Sequence, residues 1–411
     1  MDHGSLLSSA HALLPEMQAL RRKLHQHPEI GLELPASQAL IVKALSDLDA
    51  DLILGQTCSS VIAVLTGSLP GPTVVLRADM DALPIQEAPG GEPRSRTENA
   101  MHACGHDLHS ATLVGAAALL SSRTKEMAGR VVLVWQPGEE GCDGMQVMLD
   151  EGLMDVIGSE AVATYGLHVL ADTFPRGVFC GRAGVSHATS ASFKIKVSGV
   201  GGHAAFPHAA VDPVPAAAEI ALGLQIRLTR TVNIFDPAVI TVGSIHGGNA
   251  PNVIPESVVL AGTVRAFSQA SANQLPDLVR SVAAGIALAH GVRAEVDYRE
   301  GYPVVDNDKA EVDLLRGVVH DLLGTERFQE LAVPIPAGDD YARLMQLIPG
   351  AFFLVGAGIP DQNGRLQPNH SAGANFDDGV MGDGAAVLAA AALRRLSGNY
   401  PPDQPSRSLS S

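Results

Sequence analysis

Residues 190–199 read SASFKIKVSG, a strand, and the segments after it give that strand its setting. DPVPAAAEIALGLQIRLT (212–229) forms a helix, AVITVGSI (238–245) and SVVLAGTVRAF (257–267) form two strands, ANQLPDLVRSVAAGIALA (272–289) a second helix and VRAEVDYREG (292–301) a last strand. The order β-α-β-β-α-β is that of a ferredoxin-like sandwich of about 115 residues. On either side the rhythm differs. Before it come apolar residues at helical spacing from Ser9 to Leu24, a second helix over Pro35–Leu48, and strands in SSVIAVLTG (59–67) and PTVVLRADM (72–80). A helix follows at LHSATLVGAAALLSS (108–122), a strand at GRVVLVWQP (129–137), a helix at CDGMQVMLDEGLMD (142–155) and a strand at AVATYGLHV (161–169). Helix and strand resume with KAEVDLLRGVVHDLLG (309–324), AFFLVGAG (351–358) and a C-terminal helix. Strands alternating with helices indicate an α/β layer with a mainly parallel central sheet. The chain is therefore expected to fold as one α/β domain from residues 1–186 and 302–411, with an α+β domain of residues 187–301 inserted into it. The tail PPDQPSRSLSS (401–411) is expected to lack structure.

Composition bounds the function. A chain of 411 residues suits two domains. Its 28 basic and 44 acidic side chains leave a net charge of −16, which opposes a broad electrostatic grip on nucleic acid or an anionic membrane. The N-terminus MDHGSLLSSAHALL has no basic stretch before its apolar residues, so no signal peptide is expected. The apolar run VLAAAALRRL near the C-terminus is too short to span a bilayer. Cys58, Cys104, Cys142 and Cys180 are widely spaced with no CxxC pair, which suits free thiols in a reducing compartment. The expected location is cytoplasmic.

Acidic and imidazole groups collect at the ends of the buried strands: Asp79 and Asp81 after VVLRA, Glu139 and Glu140 after VVLVW, and His168 at the end of ATYGL. In an open α/β sheet the carboxyl ends of strands border the ligand crevice. Neighbouring side chains on a regular strand face opposite ways, so Glu139 and Glu140 can serve one site only where the pleat is broken. Pro137, Gly138 and Gly141 supply that break, and the pair then divides its labour: one carboxylate binds metal, the other moves a proton. The plain alternative is a solvated turn between strand and helix. In MHACGHDLH (101–109), Cys104 and His106 flank a glycine that lets the backbone turn sharply, bringing thiolate and imidazole to one ion. His102 and His106 have the spacing of HExxH zinc helices, but Ala103 stands where the glutamate belongs and Gly105 disfavours helix. GVGGHA, from Gly199, matches a dinucleotide-binding glycine pattern only loosely, because no acidic residue ends a following strand.

In order along the chain, RRKLHQHPEIGLE, RADMDALP, HACGHDLH, QPGEEG, YGLHV, GVGGHAAFPH, NAPNVIPE and GTVRAF resemble the signature blocks of the metal-dependent amidohydrolase and aminoacylase family, which includes hippurate hydrolases and indole-acetyl-amino-acid hydrolases. The resemblance runs over about residues 16–396. It implies a catalytic α/β domain holding two divalent ions (Mn, Zn, Co or Ni) and a ferredoxin-like lid through which subunits pair as homodimers or higher oligomers. By the same resemblance the metal ligands are Cys104, His106, Glu140, His168 and His370, with Cys104 as a bridge. Glu139 is the general base, and Asp81 orients a ligand from behind. His203, reaching a neighbouring subunit's site, stabilises the oxyanion, and Asn252 and Arg265 contact the substrate carboxylate. The implied reaction is hydrolysis of the amide in an N-acyl or N-aroyl amino acid. A dipeptidase, or a hydrolytic deaminase of an aromatic amine, is the alternative use of the same centre. Three blocks depart from the family: QPGEE for QPAEE, AGDDYARL (337–344) for an acidic GAEDF-like run, and QPNHSAGANFDD (367–378), where Ala372 replaces a proline and Ala374 an aromatic residue.

Overall fold

A computed structural model describes residues 3–90 and 93–398; the tail 401–411 lies outside the described residues. The chain divides into two compact units. One holds the described residues up to Gly184, Asp306–Ala332 and those from Arg343 onward; the other holds Val185–Val305 and Val333–Ala342. Residues 333–342, expected with the first domain, thus group with the inserted one. Their tie is backbone pairing: the Ala188 N–H donates to Ile335 at 3.0 Å and the Ile335 N–H to Ser186 at 2.8 Å.

The larger unit is built on an eight-stranded sheet. Across it the strands run Asp51–Leu54, Val61–Thr66, Ala128–Gln136, Leu69–Asp79, Ala161–Leu170, Gly350–Gly356, Phe179–Gly181 and Phe328–Glu330. Its central four are parallel to one another, and antiparallel pairs join them to the flanking strands. Val74, Val131, Val132, Leu133, Ala163 and Val355 are sealed from solvent, as continuous apolar runs on a sheet covered on both faces should be. The helices His106–Ser121 and Val380–Leu396 join the core through Ala111, Leu113, Ala385 and Leu388. Two helices expected to be continuous are broken. Ser9–Leu24 is covered by His3–Ala12 and Leu14–Gln26, because Pro15, in the first turn of the second, has no N–H to continue the first. The helix expected over 142–155 splits into Gly144–Asp150 and Leu153–Ile157 at Gly152, whose φ is +100°.

In the inserted unit the strands order as Ala238–Gly247, Ser257–Ala266, Ala191–Ser198 and Arg293–Glu300, all antiparallel. Numbered along the chain this order is 2-3-1-4, the ferredoxin-like arrangement. Phe193, Ile195 and Val197 point from one face into a core with Ile220 and Leu224 of the helix Pro213–Thr231 and Val279 of the helix Gln269–His290; Lys194 and Lys196 point to solvent. Asp212 and Ser268 cap these helices by accepting the N–H groups of Val214 and Ser271. Among the described residues no helix is long and apolar enough to cross a membrane.

Candidate metal centre

The strands Leu69–Asp79 and Ala128–Gln136 pair in parallel with Asp79 level with Gln136, so their following turns leave the sheet side by side. Gly138 takes φ +75°, and a Cβ there would lie 2.5 Å from Leu32 Cδ2; Gly141 takes φ +82°. The buried Asp81 carboxylate secures the turn by accepting the N–H of Glu139 at 3.1 Å and of Glu140 at 2.9 Å. Both glutamates thereby reach one cluster, with Glu139 buried and Glu140 half-buried. On the facing turn Gly105 takes φ +84° ahead of the helix His106–Ser121, and a Cβ on it would meet Val169 Cγ2 at 2.3 Å. Only glycine lets Cys104 and His106 flank so tight a turn.

The candidate donor atoms converge around Cys104. Its Sγ lies 3.3 Å from His168 Nε2 and 3.2 Å from His370 Nε2, and His370 Nε2 lies 3.0 Å from Glu140 Oε1. Two sets each fit within 4.8 Å, Cys104 with His106 and His168, and Cys104 with Glu140 and His370; the thiol is common to both. His168 Nδ1 lies 2.8 Å from the Val169 carbonyl, which as donor leaves Nε2 unprotonated toward the thiol. His370, at φ +64°, is held by its own N–H donating to Ala103 at 2.9 Å and by the neighbouring Asn369, whose Oδ1 accepts the Ala171 N–H.

Whether cations suit this donor set is decided by His106. It is buried, and neither ring nitrogen makes a hydrogen bond; Nδ1 sits 3.4 Å from Asp81 Oδ1 and Nε2 4.0 Å from Glu140 Oε1. A buried imidazole without partners is costly unless a ligand completes it. Burial opposes charge on this ring, yet Asp79, Asp81 and Cys104 outweigh that and hold its pKa well above the usual histidine value. Cys104 and Glu140 likewise push His370 up to about 10. The pocket favours positive charge, and thiolate, imidazole and carboxylate together fit divalent transition ions.

The third histidine of MHACGHDLH has a different role. His109 Nδ1 lies 2.6 Å from Asp79 Oδ1 and its Nε2 accepts the Val169 N–H at 2.8 Å, so both nitrogens are occupied. Asp79 also receives Arg77 Nη1 at 2.7 Å. Asp79, His106 and His109 lie close enough to hold an ion, but Arg77 and His109 already satisfy the carboxylate. Asp79 and His109 instead brace the strand end that carries His168. Sequence reasoning missed Arg77 and His109 in this role; a charged residue inside the apolar run VVLRA was the available signal.

In the inserted unit the short strand Gly202–His203 pairs with Val253–Ile254, His203 opposite Val253, and the Asn252 carbonyl accepts the Ala204 N–H at 3.1 Å. His203 and Asn252 are therefore neighbours. His203 is exposed, and its Nδ1 accepts the Ala205 N–H at 3.0 Å, which leaves the proton on Nε2. Arg265 is half-buried on the strand Ser257–Ala266, where Nη1 donates to the Val264 carbonyl at 3.0 Å.

A mainly parallel sheet that delivers thiol, imidazoles and paired carboxylates to the ends of its strands defines a metal-dependent hydrolase. The chain belongs to peptidase family M20/M25/M40, whose model matches residues 75–394. It is similar to IAA-amino acid hydrolase ILR1-like 2 of Arabidopsis thaliana, with 38% identity over 384 residues, 92% of this chain and 85% of that one. N-acetyl-L-cysteine deacetylase of Bacillus subtilis is 36% identical over 342 residues, 83% of this chain and 80% of that one. The crystal structure of Bacillus subtilis YXEP, a dinuclear metal binding peptidase of the M20 family, matches at a TM-score of 0.79 with 29% identity, covering 94% of this chain and 99% of that one. The centre is accordingly one for two divalent ions.

Proposed function

We propose that this metal-dependent amidohydrolase cleaves N-acyl or N-aroyl amino acids, with Cys104, His106, Glu140, His168 and His370 as metal ligands and Glu139 as general base. The observation that carries the reading is the shared position of Cys104 in two donor groups beside a second, adjacent carboxylate. When bound, two divalent ions lower the pKa of water toward neutrality and polarise the scissile carbonyl. Glu139 takes the proton of the attacking water at its carboxylate and delivers it to the departing nitrogen, so one residue serves both transfers. Asp81 holds the two glutamates by their backbone and faces His106, which keeps base and ligand in register. His203 offers its Nε2–H to the developing oxyanion, and Asn252 and Arg265 take the substrate carboxylate.

The inserted unit is the pairing surface in this reading. Its edge strand Ala238–Gly247 has one side unpaired among the described residues, and Leu222, Ile226 and Phe235 expose apolar surface on the same unit. An open edge beside apolar side chains supports a homodimer in which His203 serves the neighbouring subunit. The four free thiols support a cytoplasmic setting.

The test is a substrate panel on purified protein: N-acetyl and N-benzoyl amino acids, dipeptides and an anilinic amine. Free amino acid is expected from the acyl substrates, lost on chelation and restored by Mn, Zn, Co or Ni. Turnover confined to the amine would replace this reading with a deaminase, and turnover confined to dipeptides with a dipeptidase. Cys104→Ala is expected to lower metal content and activity together. Full metal occupancy in that variant would remove Cys104 from the ligands.

A further inference from the structure

The larger unit also bears a cavity of about 610 Å³ lined by the helix Leu14–Gln26, by residues 87–90 and Pro93, and by parts of the segment 359–375. None of the candidate metal ligands lines it. Four ionisable side chains do; Asp361 is half-buried, and the other three are nearly buried, Arg21 and His25 at 3% exposure and Glu87 at 9%. Two of the three have their polar atoms engaged. His25 Nδ1 lies 2.9 Å from Asp107 Oδ2 and Nε2 3.2 Å from Glu87 Oε1, while Glu87 Oε2 accepts the Ser95 N–H at 2.6 Å. Arg21 differs. Its one ion pair is from Nε to Asp107 Oδ2 at 2.7 Å, and neither terminal nitrogen makes a hydrogen bond among the described residues.

A guanidinium almost removed from water, with idle terminal N–H groups beside a cavity, is a donor site awaiting its acceptor. The surrounding charge narrows the class. Arg21 and Asp107 cancel; burial works against charge on His25, but Asp107 and Glu87 hold its pKa above the usual value, so it balances Glu87. Asp361 on the wall adds a negative charge and Arg94, beside Glu87, a positive one, so the surround stays nearly neutral and admits a monoanion more readily than a dianion such as phosphate. Pro89, Pro93, Ile359 and Pro360 supply apolar wall for the rest of the molecule. We propose that this cavity is a second binding site, distinct from the metal centre, for a small monocarboxylate with an apolar or aromatic body, its carboxylate gripped by the terminal nitrogens of Arg21. The planar fork of arginine matches a carboxylate in two parallel hydrogen bonds.

The site does not depend on which amide the enzyme cleaves, so it is tested separately. Crystals of the metal-loaded enzyme soaked in 4-bromobenzoate are expected to show an anomalous bromine peak in this cavity, with the carboxylate on Arg21. Calorimetry with benzoate is expected to show a binding event that weakens about tenfold or more in Arg21→Gln. Should Arg21→Gln fail to fold, Arg21→Lys keeps the charge but loses the fork, and the same weakening is expected. Bromine at the metal centre alone, bromine nowhere, or undiminished binding in a folded Arg21 variant would overturn the proposal.

Discussion

Glu139→Gln is expected to retain the full metal content of the enzyme while losing about two orders of magnitude or more in turnover, the usual cost of removing a general base. The substitution is close to isosteric, and the turn that presents the residue is secured by its backbone, since Asp81 accepts the N–H groups of both Glu139 and Glu140. Glu140, on which metal retention rests in our assignment, is untouched, as is the approach of His370 to it at 3.0 Å. Gln can still accept a hydrogen bond from water but cannot take a proton. Metal analysis and steady-state kinetics on the same preparation decide the matter: near-normal turnover in a metal-loaded variant would exclude Glu139 as the base.

His203→Ala is expected to lower turnover by roughly two to three orders of magnitude, the cost of losing an oxyanion donor, with folding and metal content intact. The backbone pairing of His203 with Val253 does not need the ring, and every proposed ligand comes from the other unit. What disappears is the exposed Nε2–H, whose proton the Ala205 N–H places by occupying Nδ1. If the ring only satisfied that one backbone group, activity would hardly change. Mixing inactive Glu139→Gln subunits with inactive His203→Ala subunits separates action within a subunit from action across an interface. Partial recovery is expected in heterodimers, because one hybrid site contains both intact residues. Heterodimers shown to have formed, yet inactive, would rule out action across the interface.

Much of this molecule is legible in its sequence because the signals are local. Period and composition separate SASFKIKVSG and its companions from the apolar strands of the larger unit, and the 2-3-1-4 sheet follows the expected β-α-β-β-α-β order. Glycines at 105, 138 and 141 stand where the backbone takes positive φ, so the turns presenting Cys104, His106 and the glutamates could be read from residue type alone. The break at Pro15 was equally local, and the apolar spacing on both sides masked it. The strands Asp51–Leu54, Phe179–Gly181 and Phe328–Glu330 were not legible, since three or four residues carry too little periodicity to stand out.

Sequence by itself determined which side chains stand at strand ends and in glycine turns, because covalent spacing and backbone preference are properties of neighbouring residues. Tertiary structure alone decided how those groups share one another. Asp79 and Asp81 look alike two residues apart, yet Arg77 and His109 claim the first while the Glu139–Glu140 turn claims the second. Three histidines lie within MHACGHDLH; one is braced by Asp79 and Val169, and the other two make no hydrogen bond among the described residues, one facing the candidate ligands and one sealed in the interior with its pKa pushed down to about 4 by burial. Arg21 belongs to an ordinary-looking RRK run, but its neighbour Arg22 is exposed while it is nearly buried against Asp107. Hydrogen-bond partners and desolvation depend on groups brought together from distant parts of the chain, and no local pattern encodes them.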